Sequence, residues 1–154
     1  MLRQDINEAL KTAMKAKDVR ATSTLRLILA ALKDRDIAAR GEGKGDGGIG
    51  DDAILEMLQK MIKQRHDSIE QYQKGNRPDL VQQEEEEIEI IKTFLPKQMS
   101  EDEVKAAIDA TVTDIGAASI KDMGKAMAAL KERYAGRMDF AKASQLVKNR
   151  LSAG

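Results

Sequence analysis

The stretch ILEMLQKMIKQRHDSIEQYQKGNRPDLVQQEEEEIEIIKTFLP, residues 54–96, decides the fold. Its apolar residues recur every three or four positions, as one face of an α-helix requires. Ile54, Leu58, Met61, Ile62, Ile69 and Tyr72 fall on one side of a first helix. Gly75 ends that helix, and Pro78 suits the first turn of another, where a missing N–H costs nothing. Leu80, Ile88, Ile91 and Leu95 form the buried stripe of the second helix. Pro96 stops it, because the residue before a proline is pushed out of helical geometry. So short a connection returns the chain on itself, and the two helices pair antiparallel. Counting outward from a turn near Asn76 sets Lys63 and Arg65 about level with Glu87 and Glu89. The acidic run EEEEIE, Glu84 to Glu89, is therefore read as half of an interhelical charge ladder rather than a cation site or an acid–base cluster. Exposed pairs of this kind contribute about 0.2–1 kcal/mol each.

Towards the N-terminus the helical period persists. Leu2, Ile6, Ala9, Leu10 and Ala13 form one stripe, and a helix opened by Asp18 or Thr22 carries Leu25, Ile28, Leu29, Leu32 and Ile37. Asp51 is placed to cap the next helix. Before it lies GEGKGDGGIG, residues 41–50, which contains Gly-x-Gly-x-x-Gly twice. In dinucleotide-binding folds that pattern follows a strand and opens a helix that packs on a sheet. Here a helix precedes it and no strand is predicted anywhere. A Walker loop fails too, since Lys44 is followed by Gly45 and not by Ser or Thr. Glycine costs about 1 kcal/mol per helical position relative to alanine, so residues 41–50 are read as a flexible connector.

Beyond Pro96, SEDE at Ser100–Glu103 is a capping box. Val104, Ile108, Thr111, Val112 and Ile115 follow, and Gly116 closes that helix. SIKD at Ser119–Asp122 repeats the cap and leads into Ile120, Met123, Met127, Leu130 and Tyr134. Gly136 breaks the chain, and Asp139 can cap a last helix with Phe140, Ala143, Val147 and Leu151 inside. The reading is an all-α protein: an N-terminal four-helix part, residues 1–97, then a C-terminal three-helix bundle, residues 98–154.

Composition narrows the chemistry. Aromatic residues are 3% of the chain, so the core rests on Leu, Ile, Val, Met and Ala. The absence of cysteine excludes disulfides, thiolate metal sites and a cysteine nucleophile, and suits a reducing compartment. MLRQDINEAL lacks the apolar core of a signal peptide, and no apolar run approaches the roughly 18 residues of a membrane span. A cytoplasmic protein with no membrane association is expected. His66 is the single histidine, and with Asp67 and Glu70 it makes a poor zinc set. No catalytic residue, metal or cofactor is assigned.

Lys and Arg total 26, as do Asp and Glu. The balance hides a basic tail. From residue 121 to 150 the cations are Lys121, Lys125, Lys131, Arg133, Arg137, Lys142, Lys148 and Arg150, against Asp122, Glu132 and Asp139. Helix starts near Ser119 and Asp139 could offer backbone amides to an anion. Gly124 would let a phosphate backbone come close, and Gly136 turns the chain beside Arg137. Lys121, Gly124, Lys125, Lys131, Arg133, Gly136, Arg137, Lys142 and Lys148 are the candidate nucleic-acid contacts. Tyr134 and Phe140 both face the core, so no platform exists for stacking single-stranded bases. Recognition of phosphates and folded RNA shape is expected instead. The ordinary charged surface of a small bundle accounts for the same composition.

LRLILAALKDRDI (25–37), KMIKQRHDSIEQY (60–72), NRPDL (76–80), FLPKQMSEDE (94–103), KDMGKAM (121–127) and AGRMD (135–139) occur in this order. Together they resemble the YqeY family, also called GatB/YqeY-like proteins, over nearly the whole chain. The resemblance implies an all-helical protein with a four-helix and a three-helix part. It implies kinship with the tail of the B subunit of the glutamine-dependent aspartyl/glutamyl-tRNA amidotransferase, a region associated with tRNA binding. Related helical modules are appended to some glutaminyl-tRNA synthetases. The family label of carbon–nitrogen ligase with glutamine as amido donor follows from that kinship. The separate amidase subunit and large kinase-like portion that such an enzyme uses do not fit in 154 residues. Two expectations stand side by side: a tRNA-binding accessory module, with KDMGKAM and AGRMD facing the RNA, and a non-catalytic module docking on an amidotransferase or aminoacyl-tRNA synthetase. An autonomous amidotransferase is the third.

Overall fold

A computed structural model describes residues 1–43 and 47–153 of the chain. Seven α-helices make it up: α1 (Leu2–Lys15), α2 (Val19–Gly41), α3 (Asp51–Lys74), α4 (Pro78–Lys92), α5 (Glu101–Asp114), α6 (Met123–Tyr134) and α7 (Phe140–Ala153). A 3-10 turn, Ile120–Asp122, precedes α6, and no strand occurs among the described residues. The chain divides into two compact units, Met1–Pro96 and Lys97–Gly154.

In the first unit α3 and α4 pair closely, and α2 packs on both. Ile6, Ile28, Ile54, Met57, Leu58 and Ile91 are sealed from water at its centre. The helix joints are tight. Lys17 holds a left-handed φ of 56°, and the Asp18 N–H donates back to Ala13 O at 3.0 Å. Asp18 then caps α2, accepting from the Ala21 N–H at 3.0 Å, so one helix stops where the next begins. At the end of α3 the left-handed residue is Asn76 (φ 53°), not Gly75. Arg77 N–H closes that joint on Tyr72 O at 2.9 Å. Asparagine is the residue after glycine that tolerates this conformation best.

The acidic run departs from the expected exposed ladder. Arg65 Nε lies 2.9 Å from Glu87 Oε2 and 3.9 Å from Glu84 Oε2. The side chains of Arg65 and Glu87 are only 13% and 7% exposed. The register count placed Arg65 opposite Glu87 correctly, but the pair is internal and not a surface decoration. Glu89 instead reaches Lys92 on its own helix at 3.5 Å. Glu86 accepts from Arg20 Nε of α2 at 3.1 Å. Burial, with the neighbouring Glu87 charge adding to it, holds the Glu84 carboxyl above the usual range. The run fastens α4 to α2 and α3.

The glycine stretch is also more constrained than a simple connector. Gly41 is the last residue of α2. Lys44 and Gly45, on which the Walker comparison turns, lie outside the described residues. Gly48 has φ +82°, and a Cβ there would fall 2.6 Å from both Arg3 Nη2 and Asp36 Oδ1. Arg3 donates to both Asp36 oxygens, at 2.7 and 3.0 Å, and to Ile49 O at 3.0 Å. The Ile49 N–H donates to Asp36 Oδ1 at 2.9 Å. The cap of α3 is Gly50, while Asp51 accepts from the Leu2 N–H at 3.4 Å. The distal end of the stretch is thus tied to α1 and α2.

Two outcomes follow from these buried charges. Arg65→Met strands Glu84 and Glu87 without their cation, and is expected to cost about 3–5 kcal/mol in urea unfolding at pH 7. Stranded carboxylates have raised folded pKa values, so they bind protons more readily folded than unfolded, and part of the loss should return as pH falls towards 5. A loss under 1 kcal/mol with no pH dependence would show a solvent-screened pair. The Arg3 hydrogen bond, opposed by burial and helped by the Ile49 amide, holds the Asp36 carboxyl below its usual range. Its stabilisation is complete above an unfolded pKa of about 3.9 and is lost as pH falls through the lower folded value. Asp36→Asn should flatten the acid limb of the stability curve below about pH 4 while leaving the shape between 5 and 8 unchanged. Identical acid limbs in the two proteins would contradict this.

Candidate nucleic-acid interface

The second unit is built on α5. Its capping box is formed in both directions: Glu103 N–H donates to Ser100 Oγ and Ser100 N–H to Glu103 Oε1, each at 3.2 Å. Those bonds hold the Glu103 carboxyl below its usual range. Ala126 and Leu130 of α6, and Ala143 and Val147 of α7, are sealed against Ile108 and Val112 of α5.

SIKD folds as a 3-10 turn, so α6 begins only at Met123. Asp122 Oδ2 accepts from the Ala118 N–H at 2.9 Å and the Ser119 N–H at 3.3 Å, which lowers its pKa. Asp139 Oδ1 accepts from the Ala141 N–H at 2.9 Å and the Lys142 N–H at 3.4 Å. Each start therefore carries a carboxylate of the chain itself. At α7 the expectation that the amides await an outside anion is corrected, because Asp139 already accepts from them; Asp122 bonds the amides that precede its turn and makes no side-chain cap to α6.

The candidate residues separate into three groups. Arg133 Nη1 is 2.9 Å from Asp114 Oδ2 and 3.4 Å from Thr111 Oγ1, and Arg150 Nε is 3.1 Å from Asp109 Oδ1. These two arginines brace α6 and α7 to α5. Lys121, Lys131, Lys142 and Lys148 are exposed and enter no ion pair among the described residues. Lys125 is exposed as well, and its charge helps to lower the Asp122 pKa. Residues two apart on a helix point about 160° apart. Lys131 and Lys148, each two residues before an α5-facing arginine, are therefore turned away from α5. Gly124 lies seven residues before Lys131 on the same face, and a Cβ there would meet nothing within 4 Å. Gly136, in contrast, is buried with φ +75°, and its carbonyl accepts from Gln98 Nε2 at 2.6 Å. It serves the turn rather than the surface.

Arg137 belongs to a second feature. Its carbonyl accepts from the Met99 N–H at 2.9 Å, and its Nε donates to Lys97 O at 3.4 Å. Beside this clasp lies a groove of about 520 Å³. Met99, Val104, Met138 and Leu146 form its less exposed lining. Lys105, Arg137 and Lys142 bring positive charge, Glu101 and Asp139 negative charge, and Gln98 and Gln145 carry amides. Lys105, Gln98 and Gln145 were not among the residues expected from sequence. Lys105 sits one turn after Glu101 on an acid-rich helix, where a count of the basic tail does not reach it.

Elsewhere, His66 is exposed on α3, and no three histidine or acidic side chains gather as a metal cage among the described residues. No described helix is long and apolar enough to cross a membrane.

The sequence pattern of the family described as "Yqey-like protein" matches residues 3–151. Relatives carry the name "Altered inheritance of mitochondria protein 41, mitochondrial". The protein from Lachancea thermotolerans is 38% identical over 113 residues, which are 72% of this chain and 58% of that protein. The Saccharomyces cerevisiae protein (strain YJM789) is 34% identical over 113 residues, 70% of this chain and 58% of its own length. The Vanderwaltozyma polyspora protein is 37% identical over 90 residues, 58% of this chain and 46% of its own. This chain therefore spans under two thirds of these relatives. With the family pattern running from Arg3 to Leu151, the chain belongs to the Yqey-like protein family.

Proposed function

We propose that the Lys97–Gly154 unit binds tRNA through its phosphates, and that the protein is an accessory module and not an autonomous amidotransferase. One observation carries the reading: the arginines of α6 and α7 are spent on α5, while Lys121, Lys131, Lys142 and Lys148 stay exposed without ion pairs among the described residues. Phosphates neutralise such cations with release of counterions. Gly124 adds to it. Glycine costs a helix up to about 1 kcal/mol, and no packing within the chain requires it there. Close approach of a phosphate backbone on the Lys131 face does.

The link to amidation rests on the resemblance to the amidotransferase B-subunit tail. Its partners in this reading are tRNA and the amidotransferase or aminoacyl-tRNA synthetase that works on it. The compartment is an aqueous one that holds tRNA: the cytoplasm on the sequence reading, a mitochondrial one if the relatives' names carry over. A docking module is the second reading, favoured by Ile120, an apolar side chain 50% exposed beside Lys121.

Filter binding of total tRNA between about 50 and 200 mM salt tests the proposal, since phosphate-driven affinity falls steeply over that range. Lys131→Glu and Lys148→Glu should each weaken binding and reduce the salt slope by about 1. Gly124→Ala should keep or raise thermal stability while weakening binding. Undetectable binding at low salt, or binding indifferent to both reversals, would sink the RNA reading. Protein partners that survive nuclease treatment would then favour docking.

A further inference from the structure

The groove beside the Met99–Arg137 clasp differs in kind from the exposed lysines. Lysines on a helix surface suit phosphates that slide past. A space of about 520 Å³ is far larger than one phosphate needs and falls in the range of small-ligand sites. Its lining is apolar at depth and polar at the edge. Met99 and Met138 bring two thioethers, with Val104 and Leu146 beside them. Thioether sulfur makes favourable contacts with aromatic rings, worth about 0.3–1.5 kcal/mol each. Gln98 Nε2 is committed to Gly136 O at 2.6 Å and Gln145 Nε2 donates to Asn149 Oδ1 at 3.2 Å, so a ligand would meet chiefly the Gln145 amide oxygen. Lys105 and Lys142 are exposed cations at the edge, and Arg137 stands with them.

We infer that this groove takes one unpaired nucleotide. The heterocycle would rest on Met99 and Met138, the Gln145 amide oxygen would meet its polar edge, and Lys105, Arg137 and Lys142 would hold the attached phosphate. The inference rests on the tRNA-binding reading and deepens it by assigning a site for a base. The unit has no exposed aromatic platform, and methionine replaces one here. The size and the apolar depth argue against a bare anion. Lys105, Arg137 and Lys142 outnumber Glu101 and Asp139 in the lining by one, which favours a ligand that carries negative charge.

The full-length protein, labelled with ¹³C at its methionine methyls, supplies the test. It is titrated by NMR with inorganic phosphate, with the nucleoside 5′-monophosphates, and with total tRNA. Met99 and Met138 are expected to shift with the monophosphates and with tRNA but not with inorganic phosphate, while Met57 and Met61 of the other unit stay fixed. Val104→Phe, which fills the groove, should abolish the Met99 and Met138 shifts and weaken tRNA binding several-fold. Lys131→Glu should leave the monophosphate shifts intact. Equal shifts with inorganic phosphate would overturn the inference, since the site would then be for anions alone. No shift of Met99 or Met138 with any nucleotide or tRNA would also overturn it. In that case filter binding of tRNA decides separately whether the RNA reading survives.

Discussion

The Lys97–Gly154 unit depends on one exchange of hydrogen bonds between residues far apart in sequence. The Met99 N–H meets the Arg137 carbonyl, and the Gln98 amide meets the carbonyl of Gly136. Gly136 makes this possible. At φ +75° any side chain would be strained, by roughly 1–2 kcal/mol, and the residue is buried. The turn from α6 into α7 is therefore held against the segment that enters α5. That contact closes the three-helix core at one end and walls the groove. Without it, neither the placement of Lys142 nor the cover over Met138 is defined.

Charge is then distributed by pairing. A chain with equal numbers of acids and bases would present no net field if each were neutralised locally. Here the neutralisation is uneven. In the first unit the acidic run takes Arg65 and Arg20. In the second, Asp114 and Asp109 take Arg133 and Arg150, two of its three arginines, and Asp122 and Asp139 spend themselves on backbone amides. The exposed lysines of the second unit stand among exposed acids such as Glu101, Asp102 and Glu132, and each is a compact and strongly hydrated charge on a flexible stem, suited to phosphate contacts that do not demand fixed geometry.

Much of the fold was legible in the sequence because its signals are local. The apolar period of residues 54–91, the stop at Gly116 and the SEDE capping box each need only a few neighbouring residues to be read, whereas α4 ends at Lys92, ahead of the stop expected at Pro96. Antiparallel register even placed Arg65 opposite Glu87. Depth was not legible: nothing local says that this pair is buried while Glu89 is solvated. Nor does glycine composition reveal that Gly48 is required by the Arg3–Asp36 clasp 12 residues and more away in sequence. The candidate site was half legible for the same reason. Basic residues can be counted, but which of them face α5 depends on helix rotation. The groove joins residues 98–105 to residues 137–146, and a one-dimensional reading keeps those segments apart.

Ultraviolet cross-linking in cells, with the bound RNA sequenced and the cross-linked peptides mapped, tests the central claim most directly. The account predicts tRNA far above background, joined to peptides within residues 97–153. Absence of enriched RNA, or cross-links confined to residues 1–96, would contradict it.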